Sequence, residues 1–287
     1  MNIQNYGIKL VSFIRRFVPV PALFKSYLYL RYTPQDLLDV ARGRRDPLVP
    51  PRRRIFIGGG EFRQIGDEFF GYFLNYGEIQ PHHRILDIGC GIGRMSRPFV
   101  PFLDRSRGRF EGFDIDGGGI DWCREHYKSY PNFRFQLADI YNKFYNPSGK
   151  VRAEEFIFPY ADANFDFAFA TSVFTHMPLP SIARYLKETA RVLAPGGRAL
   201  LTVFLWNPES QALVAQGKAR LRFREHGDLI VVDPVVPEDA IAIRQADWEN
   251  VLKEAGLKSE GDVLWGNWCG RTSFTSFQDM VLVRKPG

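Results

Sequence analysis

The stretch RILDIGCGIGR, residues 84–94, constrains this chain more than any other. An apolar run, Arg84 to Ile88, breaks into glycines at every second position, Gly89, Gly91 and Gly93, with Asp87 just ahead of them. Glycine lets a backbone adopt turns closed to other residues and lets a ligand lie close to it. Two familiar phosphate-binding loops do not match. The triphosphate loop GxxxxGK[ST] needs a lysine after its glycines, and none follows. The dinucleotide pattern G-x-G-x-x-G needs a third glycine at its sixth position. That position is Arg94 counted from Gly89 and Ser96 counted from Gly91, which argues against NAD or FAD. The pattern that remains is D-x-G-x-G-x-G.

Around this loop, from residue 55 onward, the pattern alternates. A helix is predicted between Glu61 and Tyr76. Strands are predicted at Arg84–Ile88, Phe110–Asp114, Phe133–Ala138, Phe165–Thr171 and Gly197–Phe204. Helical stretches lie between them at about Met95–Leu103, Ile120–Ser129 and Ser181–Leu193. Strands alternating with helices mean βαβ units and an α/β fold with a mostly parallel sheet. DWENVLKEAGL, residues 247–257, reads as an amphipathic helix closed by Gly256, with strand candidates Lys258–Trp265 and Asp279–Arg284 after it. In an open parallel sheet, ligands sit beyond the carboxyl ends of the strands, where the glycine loop lies.

The acidic residue and glycines of this loop resemble the first motif of the class I S-adenosylmethionine-dependent methyltransferases. The resemblance extends over the next 115 residues or so. It implies a Rossmann-like, seven-stranded, mostly parallel sheet with helices on both faces, and S-adenosylmethionine as cofactor. A donor without phosphate, carrying an amino acid and a sulfonium, suits Asp87 as a negative acceptor group. It also suits the bare backbone of Gly89, Gly91 and Gly93. The family's acidic residue for the ribose hydroxyls corresponds to Asp114 in GFDID, with Ile115 packing on the adenine. Its third-strand acidic residue, near the adenine amino group, corresponds to Asp139 in FQLADI, followed by Ile140. FATSVFTHMP resembles the fourth motif and implies Thr171 and Ser172 near the methionine end. ARVLAPGGRALLTVF, residues 190–204, resembles the helix, turn and fifth strand that follow. Asp116 and Asp121 read as helix-capping or surface residues, and Cys90 as a small filler.

The overall net charge of +6 is unevenly placed. Residues 1–54 hold 11 Lys and Arg against 3 Asp and Glu, while the remainder holds 27 against 29. The motif-bearing part is thus slightly acidic, and no nucleic-acid partner is expected. The three cysteines form no CxxC pair, so no metal site is expected and the composition fits a reducing, cytoplasmic setting. No apolar run reaches the roughly 18 residues of a membrane span, and Arg15 and Arg16 interrupt the one apolar stretch that a signal peptide would need. Residues 1–54 read as a basic, helical extension and linker ahead of a main domain at 55–287. IKLVSFIRRFV, residues 8–18, reads as a basic amphipathic helix ended by Pro19 and Pro21. Such a helix either lies on a membrane surface as a peripheral contact or packs on the main domain, and packing is the reading favoured here. RGRRDPLVPPRRR, residues 42–54, reads as an extended basic connector.

Methyl transfer to a hydroxyl benefits from a base. His176, just past the fourth strand, is the histidine positioned for it, although capping the next helix is an alternative. The expected activity is methylation of a small-molecule acceptor, at a hydroxyl oxygen. The alternatives are a donor-binding regulatory subunit, or an enzyme acting on protein or nucleic acid. The Asn/Asp-Pro-Pro-aromatic signature of nucleic-acid N-methylation is absent. Residues 56–70, entered through Gly58–Gly60, and the insertion at about 206–244 are candidate covers for the cleft. WGNWCGR, residues 265–271, offers either an aromatic wall with a cation or simply core.

Overall fold

The computed structural model describes residues 20–43, 46–55, 61–142 and 146–287. The helix expected at 8–18 and the glycines 58–60 lie outside the described residues. In chain order the strands are β1 (Arg84–Ile88), β2 (Arg109–Asp114), β3 (Phe133–Leu137), β4 (Phe165–Ala170), β5 (Leu193–Val203) and β6 (Leu205–Trp206). Then come β7 (Arg224–His226), β8 (Leu229–Val231), β9 (Ile241–Arg244), β10 (Lys258–Ser259) and β11 (Asp279–Arg284).

A seven-stranded sheet has the order β10-β11-β5-β4-β1-β2-β3. β3, β2, β1, β4 and β5 pair in parallel, and β11 runs antiparallel to β5 and to β10. The chain order reverses between β1 and β4, so the crevice at their carboxyl ends is where an open sheet of this kind takes a ligand. Alternation along β1 explains its apolar run. Leu86 and Ile88 join one core, with Phe113, Phe174 and Trp248, while Ile85 joins the other, with Phe73, Phe110 and Phe169. Asp87 faces the second side and is fully buried there.

Several boundaries differ from those read in the sequence. Of Met95–Leu103 only Phe99–Phe102 is helical, because the preceding residues finish the glycine loop as turns and Pro98 fixes the helix start. β5 begins at Leu193, ahead of Gly197. Leu193 pairs with Phe165, and the register then jumps to Arg198 opposite Phe167 across a bulge that holds Gly196. Of Lys258–Trp265 only two residues pair as a strand, and Leu264 returns to bridge Met280.

At the N-terminal end, the described residues open on a helix that the sequence analysis did not expect. The helix Val20–Ala41 carries Pro21 in its first turn, where a missing amide costs nothing. Residues 46–54 are not an extended connector. They turn and end in a short 3₁₀ helix, Arg52–Arg54, and Leu48 is buried in the same core as Ile85 and Phe110 of the sheet. Asp46 accepts a hydrogen bond from Arg97 at 2.8 Å, which ties this segment to the sheet domain. Residues 206–244 build a second small sheet, of order β6-β9-β8-β7, around Phe204, Trp206, Phe223 and Trp268.

Candidate active site

The glycine loop is hung from the end of β2. The amides of Gly89 and Cys90 both donate to the Phe113 carbonyl, at 2.9 and 3.0 Å. Gly89 has φ +80°, and a Cβ there would lie 2.4 Å from the Val173 side chain. Gly91 has φ +53°, and a Cβ there would meet nothing within 4 Å. The first glycine is demanded by packing; the second leaves backbone bare toward open space. Gly93 belongs to the same turn but lies beyond the cavity, against Cys123.

This loop forms one wall of a cavity of about 940 Å³, at the upper end of what drug-sized ligands occupy. Gly89, Gly91, Asp114, Ile115, Ile140, Thr171, Ser172 and His176 all line it. The Asp114 carboxylate accepts from the Gly91 amide at 2.7 Å and from the Asp116 amide at 2.8 Å. Each of its oxygens keeps a further lone pair for a ligand hydroxyl. Burial raises its pKa against the opposing effect of those amides. Asp139 is not brought to the cavity. β3 ends at Leu137, and the alternation that turns Ala138 and Ile140 inward leaves Asp139 exposed.

Asp87 sits just below the loop, fully buried, and neither carboxylate oxygen has a hydrogen-bond partner. Burial, with the Asp114 charge second, pushes its pKa well above the usual carboxylate range. An unpartnered buried carboxylate is costly unless a cation reaches it. Asp87 does not itself line the cavity, so it fits the amino acid and sulfonium of the donor implied by the motif as a negative charge acting through the glycine loop above it and not by direct contact.

Past β4 the chain turns at Ser172, a non-glycine residue at φ +59°. The Ser172 amide donates to Thr202 Oγ1 at 2.7 Å, which holds this strained conformation. Ser172 Oγ accepts from Gln278 Nε2 at 3.0 Å and lies 3.5 Å from His176 Nε2. His176 belongs to a 3₁₀ turn, Phe174–His176, and its Nδ1–H donates to the Glu238 carbonyl at 2.8 Å. Burial holds its imidazole below the usual pKa, so it is neutral near pH 7 with Nε2 as the basic nitrogen.

The WGNWCGR segment is structural. Trp268 is buried and its indole N–H donates to Asp279 at 2.7 Å. Arg271 pairs with Asp279 and Glu209 beneath the Trp265 ring, and neither tryptophan nor Arg271 lines the cavity. Asp116 caps the helix Gly117–His126, accepting from the Gly119 amide, and the Asp121 side chain is exposed. The cavity also takes in Arg54, Arg94, Arg152 and Gln278, which the sequence analysis missed. Arg94 directly follows the glycines and was legible as a loop residue. Arg54 and Gln278 reach the site only through tertiary folding.

Comparison with known proteins agrees with this architecture. A family described as "Methyltransferase domain" matches residues 85–197. The 27-O-demethylrifamycin SV methyltransferase of Amycolatopsis mediterranei is 31% identical over 180 residues, covering 62% of this chain and 54% of that enzyme. A sterol 24-C-methyltransferase of Gibberella zeae is 28% identical over 131 residues, covering 45% of this chain and 29% of that one. The chain thus spans about half, or less, of the length of these curated relatives. A crystal structure of a SAM-dependent methyltransferase from Methanosarcina mazei superposes with a TM-score of 0.51 at 21% identity, over 74% of this chain and 97% of that one.

Proposed function

From the premise that this chain carries a class I, Rossmann-like methyltransferase domain with S-adenosylmethionine as cofactor, we propose that it methylates a hydroxyl oxygen of a small-molecule acceptor. The observation that carries this reading is the neutral His176 imidazole on the cavity wall, held through Nδ1 by the Glu238 carbonyl. Carbon methylation is the second reading, and the sterol enzyme's name speaks for it. The rifamycin enzyme's name speaks for oxygen, and a neutral base beside the cleft suits a hydroxyl.

The bound donor supplies a methyl group already activated on a sulfonium. Asp114 is assigned to the ribose hydroxyls, and Ile115 and Ile140 to the faces of the adenine. Asp87 is assigned to the cationic amino-acid part, which crosses the bare backbone of Gly89 and Gly91. Thr171 and Ser172 border the methionine end. As the acceptor oxygen takes the methyl, its proton passes to His176 Nε2, which the Nδ1 hydrogen bond keeps in the basic tautomer. The walls otherwise align the acceptor and keep water out.

The test has two arms. By calorimetry the wild type should bind S-adenosylhomocysteine, and Asp114→Ala should weaken that affinity by about tenfold or more. No binding to the wild type would overturn the cofactor site as described. With an acceptor in hand, His176→Ala should lower turnover by about 10²–10⁴-fold while leaving product affinity within a few-fold. His176→Gln keeps a hydrogen-bonding group but is no base at neutral pH. Full turnover in that variant would reassign His176 to positioning, and lost product binding in either would make it structural.

A further inference from the structure

The helix Val20–Ala41 is turned the unexpected way round. Its inward face carries Leu28, Tyr32, Asp36 and Asp39. Asp36 is only 4% exposed and accepts from the backbone amides of Arg52 and Arg53 and from the Arg53 guanidinium. Its outward face is apolar, with Leu30 83%, Leu37 61%, Val40 55% and Tyr27 51% exposed. A helix of a water-soluble domain normally buries its leucines and exposes its aspartates. Here a backbone-capping role has drawn Asp36 inward, and the leucines on the far side have no partner among the described residues.

What covers that face is indicated by charge. The apolar stripe is flanked by Arg31 and Arg42, both exposed. The whole segment 1–54 has 11 basic against 3 acidic residues. A second copy of this chain would bring two such segments face to face, and like charges oppose that. A surface that is both apolar and negatively charged fits both features. We propose that the outward face of the helix Val20–Ala41 docks on an anionic lipid membrane. Leu30 and Leu37 enter the headgroup boundary while Arg31 and Arg42 meet lipid phosphates. No helix among the described residues is long and apolar enough to cross a membrane, so the contact is peripheral. Arg54, which lines the cavity, closes the same segment.

Co-sedimentation of the full chain with phosphatidylcholine vesicles, with and without phosphatidylglycerol, tests this. Binding is expected only with phosphatidylglycerol and should weaken as salt rises. Leu30→Glu with Leu37→Glu should lower partitioning about tenfold or more, with an unchanged melting temperature as the control for folding. Arg31→Glu with Arg42→Glu should lower it as well. The proposal fails if the wild type does not prefer anionic vesicles, or if the leucine variant binds as the wild type does. It also fails if the chain dimerises in analytical ultracentrifugation and the leucine variant abolishes that dimer, since the face would then belong to a second copy.

Discussion

Asp87 is the residue whose surroundings make the sharpest demand. It is buried without a hydrogen-bond partner, and burial, with the Asp114 charge second, pushes its pKa well above the usual carboxylate range and so favours the protonated carboxyl. The stability so gained is present in full below the unfolded pKa. It declines as pH rises from there through the raised folded value. Asp87→Asn removes the charge that neutral pH would otherwise force into the core. The empty variant should therefore melt no lower than wild type at neutral pH, and higher as pH rises. Its affinity for S-adenosylhomocysteine should nevertheless fall about tenfold or more, because the amino group loses its counter-charge. Differential scanning fluorimetry across pH, paired with calorimetry, checks both halves. A variant less stable than wild type that binds product normally would make Asp87 an ordinary structural carboxylate. The family resemblance pointed to Asp87 and Asp114 at successive strand ends, and the structure brings Asp114 to the cavity wall and buries Asp87 beneath the glycine loop. Asp139 had the same warrant and was misplaced, since one residue of alternation past β3 turns it outward.

At the scale of elements, β11 and the loop before it meet at Asp279. Its carboxylate accepts from the amides of Gly266 and Leu205, from the Trp268 indole and from Arg271. Four donors from two segments thus converge on one residue at the start of the antiparallel strand. Asp279→Ala leaves Arg271 buried against Trp265 without that carboxylate, and the expected loss is about 3–5 kcal/mol. Urea unfolding should show it as a lower midpoint, with product affinity in the folded protein within a few-fold of wild type. A change under 1 kcal/mol, about the value of one ordinary hydrogen bond, would deny the cluster its role. None of this was visible in WGNWCGR, where two tryptophans and an arginine read equally well as a ligand wall. The strand boundaries were legible where burial on both faces forces a continuous apolar run, as at Arg84–Ile88 and Asp279–Arg284. They slipped where a bulge sets the boundary, as at Gly196, because a bulge depends on pairing partners far away in sequence.

For the molecule as a whole, the packing boundary of the sheet domain falls at Asp46. Deleting residues 1–43 keeps Leu48 in the core and the Asp46–Arg97 pair intact. Melting temperature and affinity for S-adenosylhomocysteine should then stay close to wild type, while vesicle binding is lost. Deleting residues 1–55 removes Leu48 as well and should cost about 2–4 kcal/mol, several degrees of melting temperature. Equal melting temperatures for the two truncations would return the boundary to residue 54. At the opposite side of the cavity, the second small sheet reaches the histidine through the carbonyl of Glu238, a main-chain atom. Any amino acid at position 238 offers the same oxygen. Substituting the Glu238 side chain, which lines the cavity, should therefore leave the His176 imidazole in its orientation.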